Sequence, residues 1–391
     1  MIKAFTAFTN EIDEADAAVS ELLAQLNLEG RLLRHSLGLV SCYAEYIDSG
    51  VVKALSDALP FDVIGSTTLA SYVKGASGPL SLTLTVLTSD DVYFVTGLTE
   101  DITSAEDLSP LRAAYDAAQA RLGERPKFLI SFAPLLINVG GDSFTETIDG
   151  ASGGVPNFGT VAVDHTEDYS QARTLYNGEA HALKYAFALV AGNVAPRFFV
   201  ATLPPDKVGR EKGIVTASAG NQLREIDGAP AIRFLERLGL VTKDGNLFAG
   251  MNTFPFVIDF NDNSPPVVRV AFSATPEGYA VCGGNFPVGS TIAVGRIDAD
   301  DVVNTTSDLV RAAAAAAAEQ NSGFLLMFSC VGRYLCMGYE PEREWAAVSG
   351  ILDETGIPYH LTYSGGELCP TEDFGKLTNH NHNDTYIICA L

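Results

Sequence analysis

The chain has 391 residues, and its 25 lysines and arginines stand against 48 aspartates and glutamates for a formal charge of −23. At about 150 residues per domain, this length makes two or three units. An apolar share of 47% is enough to fill their cores, which excludes a disordered, collagen-like or disulfide-stapled chain. So acidic a chain is repelled by phosphate backbones and anionic lipid, which argues against nucleic acid and membrane as partners.

The first residues lack a basic region and a long apolar run, and turn acidic at Glu11, Asp13, Glu14 and Asp16, so no secretory signal is expected. The uncharged run 128–141 is broken by Pro134 and two glycines and reads as a buried strand with its exit loop. Six cysteines (Cys42, Cys282, Cys330, Cys336, Cys369, Cys389) form no CxxC pair and mostly have apolar neighbours, as expected of reduced thiols in a cytoplasmic protein.

In chain order, apolar residues at helical spacing (Ala17, Val19, Leu22, Leu23, Leu26) predict a helix over 13–28. A buried strand over 37–40 ends at Ser41-Cys42. A helix over 49–59 stops at Pro60, and a second strand over 61–64 runs into a small-residue loop, Gly65-Ser66-Thr67-Thr68. The β-rich runs 80–87 and 92–95, separated by Ser89-Asp90-Asp91, predict a hairpin. Asn177-Gly178 and Asp244-Gly245 predict two more. Pro230 opens a helix over 231–238, and a helix with a poly-Ala tract begins near Ser307 as its cap.

The early order returns near the C-terminus. A strand over 324–328 ends at Ser329-Cys330, a helix covers 342–354, and a strand over 359–363 ends at Ser364-Gly365-Gly366-Glu367. Leu39-Val40-Ser41-Cys42 matches Met327-Phe328-Ser329-Cys330, and Leu59-Pro60-Phe61 matches Ile357-Pro358-Tyr359. A weaker third copy has a strand at 128–131, Ala151-Ser152-Gly153-Gly154, and a strand at 160–163. The expected fold is α/β, a mixed α+β type in which repeated strand–helix–strand units form two packed mixed-sheet domains, residues 1–225 and 226–391. In such folds ligands bind beyond the carboxyl ends of strands, where every copy here carries small or polar residues.

With these residues laid out, the chain resembles the FIST family of prokaryotic sensory proteins. The first part is similar to the N-terminal FIST region through Val63-Ile64-Gly65-Ser66-Thr67-Thr68, Ser152-Gly153-Gly154, Tyr176-Asn177-Gly178 and Val215-Thr216-Ala217. The second is similar to the C-terminal region through Ile226-Asp227-Gly228-Ala229-Pro230-Ala231, Phe328-Ser329-Cys330-Val331-Gly332-Arg333, Tyr363-Ser364-Gly365-Gly366-Glu367 and His382-Asn383-Asp384-Thr385. The resemblance implies a cytoplasmic sensory module that binds a small molecule, with amino acids the favoured ligands. Such modules occur with kinase, chemoreceptor or cyclic-nucleotide output domains; no room for one is expected here, so the signal is expected to pass to a separate partner such as a kinase or cyclase. Two loops depart from the pattern: Ala70-Ser71 stands where Gly-Glu is usual, and Val155-Pro156-Asn157 follows the second Gly-Gly. The C-terminal motifs therefore supply the candidate site: Cys330, Arg333, Tyr363, Gly366, Glu367, Asn383 and Thr385.

In that site Arg333 can receive a ligand carboxylate in a two-pronged contact and lower the pKa of Cys330. Glu367, after two glycines that let the backbone approach a ligand, suits an amino group. Against these roles stand plainer ones: Arg333 as an anchor for Glu367 or a helix end, Cys330 as a core residue, and Glu367 as a salt-bridge or capping residue. His380, His382 and Asp384 invite a metal reading, but the segment 379–383 reads as a polar loop into the last strand, and no metal or cofactor is expected. Walker A, GxSxG, HExxH and GxGxxG motifs are absent. Two rival readings remain: an enzyme with Cys330 or Cys369 as nucleophile and a C-terminal histidine as base, and a protein–protein scaffold with a vestigial pocket.

Overall fold

The computed structural model describes residues 2–75, 78–262, 264–320, 322–373 and 375–391, with Asp373 described by its backbone alone. Its strands and helices assort into three units of one plan. The first unit runs β1 (Lys3–Thr9), α1 (Ala15–Leu26), β2 (His35–Cys42), α2 (Glu45–Asp48), α3 (Val51–Asp57), β3 (Val63–Thr67), β4 (Ser71–Val73) and β5 (Leu82–Ser89). The second runs β6 (Val92–Leu98), α4 (Ser109–Leu122), β7 (Phe128–Ala133), α5 (Gly141–Ser152), β8 (Asn157–Val161), β9 (Thr174–Tyr176), β10 (Glu179–His181) and β11 (Ala186–Gly192).

The third unit opens with β12 (Arg197–Ala201) and is interrupted by an inserted sheet. The insertion holds β13 (Val208–Ala219), β14 (Gln222–Ile226), β15 (Ala229–Pro230), α6 (Ala231–Arg237), β16 (Phe256–Asp259), β17 (Val267–Arg269), β18 (Ala271–Ala274), β19 (Ala280–Cys282) and β20 (Thr291–Gly295). The unit resumes with α7 (Ala299–Gln320), β21 (Leu325–Cys330), α8 (Val331–Cys336), α9 (Arg343–Thr355) and β22 (Tyr359–Ser364). It closes with β23 (Glu367–Asp373), β24 (Lys376–His382) and β25 (Tyr386–Ala390).

Each unit orders its sheet identically: first strand, last strand, then the two parallel strands, as β1-β5-β2-β3, β6-β11-β7-β8 and β12-β25-β21-β22. Each sheet is then extended by strands of another unit, β9–β10 on β3, β23–β24 on β8 and β4 on β22. The exchange is cyclic, and backbone hydrogen bonds close the ring where the chains leave the parallel strands. Val163 N–H donates to Thr67 O at 3.5 Å, Val161 N–H to Gly366 O at 2.9 Å, and Tyr363 N–H to Ala70 O at 2.9 Å.

The layers follow from strand alternation. Leu37, Leu39 and Ile64 of the first sheet, Phe128, Ile130, Phe132 and Phe158 of the second, and Leu326, Phe328 and Ile387 of the third form one central core shared by all three inner faces. The outer faces each pack on their own helices: Val40 and Cys42 with Leu22 and Leu55, Leu129 with Tyr115 and Phe144, Met327 with Val310 and Val348.

The mixed α/β class and the threefold repeat are as expected, and so is the Asn177-Gly178 hairpin. Several local expectations are corrected. Residues 80–95 make no hairpin: both edges of β5 are taken by β1 and β2, so β6 crosses to pair with β11. Gly65, Ser66 and Thr67 belong to β3 rather than to a loop. Gly65 is required there because a Cβ would lie 1.7 Å from the Val40 carbonyl oxygen, and Gly159 holds the matching place in β8, 2.2 Å from that of Ser131. Residues 379–382 are strand β24. α7 begins well before Ser307: Asp298 Oδ1 accepts the N–H groups of Asp300 and Asp301 at 3.1 Å, while Ser307 Oγ donates back to Val303 O. Asp244-Gly245 closes only one bridge, Val241 to Leu247. The boundary at 225/226 falls inside β14, and three sheets take strands from both sides of it. Among the described residues, no helix is long and apolar enough to cross a membrane.

Candidate functional site

The carboxyl ends of the three parallel pairs meet around the top of the shared core. Register places Ser41 beside Ser66, Phe132 beside Thr160, and Cys330 beside Ser364, all on inner faces. Cys42 and Cys330 end equivalent strands but face opposite ways. Cys42 packs on the outer helices, whereas Cys330 continues the inner series Leu326, Phe328. The matched Ser-Cys pairs are thus one residue out of step, and with a side-chain period of two that inverts them.

Glu367, paired with Thr160 across β8, joins this inner cap. Its carboxyl is fully buried and accepts hydrogen bonds from Ser364 Oγ at 2.9 Å and Thr385 Oγ1 at 2.6 Å. Burial pushes its pKa up to about 8 against the pull of those hydroxyls. Asp384 follows in a left-handed turn (φ 50°), and burial raises its pKa to about 7 although Arg333 opposes. Both of its carboxylate oxygens are buried without a hydrogen-bond partner among the described residues. Gly332 makes room for it: a Cβ there would lie 1.9 Å from Asp384 Oδ1 and 3.7 Å from Cys330 Sγ. Among the described residues, Asp164, fully buried after β8, has Oδ2 unpartnered, and Ser66 Oγ is unpartnered too. Asp164 and Cys330 both face the Tyr169 hydroxyl closely enough to raise its pKa, after burial. The cap thus gathers three buried carboxyl groups, and the nearby Arg333 pulls on Glu367 and Asp384 without a hydrogen bond to either among the described residues, an arrangement that costs stability unless something cationic or hydrogen-donating joins it.

Cys330 is a thiol, not a thiolate. Burial, with Glu367 and Asp384 nearby, raises its pKa well above the ordinary value, the reverse of the expected lowering by Arg333. Cys369 is held up likewise, by burial first. A cysteine nucleophile needs the opposite environment.

The sheet separates the expected site residues into two groups. Cys330, Glu367 and Thr385 lie together in the cap. Asn383 borders it, with Nδ2 donating to His382 O at 2.8 Å and approaching Gly366. Arg333 and Tyr363 belong to the outer side. Tyr363 packs edge-on against Tyr72 and Tyr334 in the helix-facing core. Arg333 is fully buried and pairs through Nε with Glu344 Oε1 at 3.0 Å, while Nη2 donates to Val302 O, Thr305 Oγ1 and Thr306 Oγ1. Ser329 Oγ donates to Glu344 Oε2 at 2.7 Å, completing the clamp. Its partner is therefore Glu344 rather than Glu367.

Glu344, Asp164 and Tyr169 were not legible as site residues. Glu344 sits in an ordinary amphipathic helix, and no local motif marks Asp164 or Tyr169. Of the histidines, His382 Nε2 donates to Cys369 O at 3.1 Å, and its ring lies 5.9 Å from that of His380. Burial lowers the His382 pKa to about 3. Among the described residues no group of three or more His, Cys, Asp or Glu is placed to hold a metal ion.

A three-unit α/β scaffold with a buried polar cap is the frame of a binding module. Residues 36–229 match the FIST N domain and residues 231–370 the FIST C domain, so the chain belongs to the FIST family. FIST domains are sensory domains that bind small ligands in signalling proteins. No curated protein matches the chain. Among solved structures, cyanuric acid hydrolase from A. caulinodans is similar at 12% identity and a TM-score of 0.39, covering 100% of this chain and 99% of that one. PurLQS from Thermotoga maritima is similar at 10% identity and 0.21, covering 100% and 72%. Likenesses this distant settle neither fold nor activity.

Proposed function

We propose that this protein senses a small molecule bearing an ammonium group, an amino acid above all, bound in the polar cap, and signals to a separate cytoplasmic partner such as a kinase or cyclase. The observation that supports this reading most is Asp384, whose two buried carboxylate oxygens lack partners beside Glu367 and Cys330. An ammonium has three donors and one positive charge, which suits the unpartnered carboxylate of Asp384 with a second carboxyl group beside it. Thr385 and Ser364 hold Glu367 in place for it, and Asn383 lies close to the backbone at Gly366 beside them. Arg333, tied to Glu344, acts through the scaffold rather than as the carboxylate fork. Calorimetric titration of the full chain with amino acids and their des-amino analogues tests the reading. Asp384→Asn should abolish amino-acid binding, and the analogues should bind no variant. Equal binding of both ligand classes, or none by any amino acid, overturns it.

A further inference from the structure

A cavity of about 770 Å³ is lined by β23 and β24 beyond the polar cap and reaches His382, the cross-strand partner of Glu367. Three sheet edges meet around it: β12 of the third unit, β17 of the insertion, and β24. Its volume is in the range of small-molecule sites, which favour junctions of this kind. Phe198, Phe199, Val200, Leu203, Val257 and Leu377 make its walls apolar. Its charged side chains, Arg197 and Glu372, are one of each sign, so it offers no net attraction to an ion.

One buried polar residue breaks the apolar lining. His382 is 2% exposed, and its Nε2 faces the carbonyl of Cys369 and so carries the hydrogen. Nδ1 is therefore a lone-pair acceptor, and it is buried without a partner among the described residues. Thr371 Oγ1, in the same wall, is buried and unpartnered too. A buried acceptor left unpaired is costly, and a ligand donor would relieve it. We propose that this cleft is a second binding site, for a neutral, largely apolar small molecule that donates one hydrogen bond to His382 Nδ1. Five prolines in its lining, Pro196, Pro205, Pro265, Pro266 and Pro370, have no N–H to offer. They make poor edges for an added peptide strand, which favours a small molecule over a peptide.

The probe is N-phenyl-1-naphthylamine, a neutral fluorophore with one N–H, titrated into the full chain. Saturable binding at one site per chain is expected, and Leu377→Arg, on an exposed wall position, should abolish it. His382→Phe should weaken the probe on the order of tenfold. The same change should leave the N-methyl analogue, which has no donor, unaffected. Three results overturn the proposal: no saturable binding, binding indifferent to Leu377→Arg, or equal losses for both probes in His382→Phe. Displacement of the probe by a proline-rich peptide at lower concentration than by unlabelled probe also overturns it, in favour of a peptide groove.

Discussion

The strand ends of the first and third units share a backbone and differ in chemistry. In the first, Ser41 Oγ lies 2.9 Å from Thr362 Oγ1 and 2.9 Å from His360 Nε2, and His360 Nδ1 lies 2.9 Å from Thr85 Oγ1. These four side chains are neutral and partnered, although the neighbouring Ser66 Oγ has no partner among the described residues, and burial holds His360 uncharged with a pKa lowered to about 3. In the third, Cys330, Glu367 and Asp384 occupy the corresponding place, and both carboxylate oxygens of Asp384 are unpaired among the described residues. The first end joins two sheets and adds stability. The second gives stability up, and a stable fold carries such a site only where a ligand restores the missing partner.

The largest effect should come from the outer clamp that supports the third unit. Glu344→Ala leaves Arg333 charged, buried and unpaired, and should cost about 3–5 kcal/mol in urea unfolding. Arg333→Met combined with Glu344→Leu should recover most of that loss. A mild Glu344→Ala effect would mean that Arg333 is not held by this pair and is free to turn toward a ligand.

The two inner ends should then respond with opposite signs. His360→Ala opens a void and orphans Ser41 and Thr85, at a cost of about 2–3 kcal/mol. Asp384→Asn removes a buried charge and should raise stability by about 1 kcal/mol at pH 8 while abolishing amino-acid binding. Thermal unfolding of both variants measures the contrast. Destabilisation by Asp384→Asn would make that carboxylate a structural acceptor and dissolve the difference between the ends.

The contrast extends to pH. Glu367 and Asp384 have folded pKa values raised to about 8 and about 7, so the folded state holds protons that the unfolded chain has already lost. Their contribution is fully present below the ordinary carboxylate range and is lost as pH rises through 7 and 8. His360 and His382, depressed to about 3, act oppositely, losing their contribution as pH falls below about 6.5. Between pH 7 and 8 the carboxyls dominate, and stability should fall by about 1 kcal/mol. The double variant Glu367→Gln, Asp384→Asn should be flat over that range. A wild-type profile that rises there would place both carboxylates in a solvated or cation-paired setting.

What the sequence conveyed and what it hid divide along physical lines. Apolar runs such as 324–328 and helix faces such as that of α1 are local patterns, and they folded as read. The repeated unit was visible because Leu39-Val40-Ser41-Cys42 matches Met327-Phe328-Ser329-Cys330 and Leu59-Pro60-Phe61 matches Ile357-Pro358-Tyr359. The cyclic exchange was not visible, since β4, β9 and β23 pair across long separations and carry no partner code of their own. The out-of-step cysteines followed from matching letters instead of faces. Glu344 was hidden because nothing local distinguishes a helix carboxylate that meets a buried arginine from one that meets water. Asp384 was read only as a possible metal ligand, although its importance lies in having no partner.

The smallest effect concerns the thiols, and it bears on the same comparison. Cys42 and Cys330 end equivalent strands on opposite faces, one among apolar helix contacts and the other beside two carboxyl groups. Burial raises the first to about 12, and burial together with Glu367 and Asp384 raises the second well above its ordinary value. Both should therefore resist alkylation in the native protein at pH 7.5, reacting only at the rate of local opening. Asp384→Asn removes one source of the elevation at Cys330 and none at Cys42. Iodoacetamide labelling read by mass spectrometry should then find Cys330 slightly faster and Cys42 unchanged. Rapid native labelling of Cys330 in the wild type would contradict this environment and revive a nucleophilic role for it. Equal slow labelling before and after the substitution would mean that desolvation alone holds the thiol, and that the carboxylates of the cap lie too far from the sulfur to act on it.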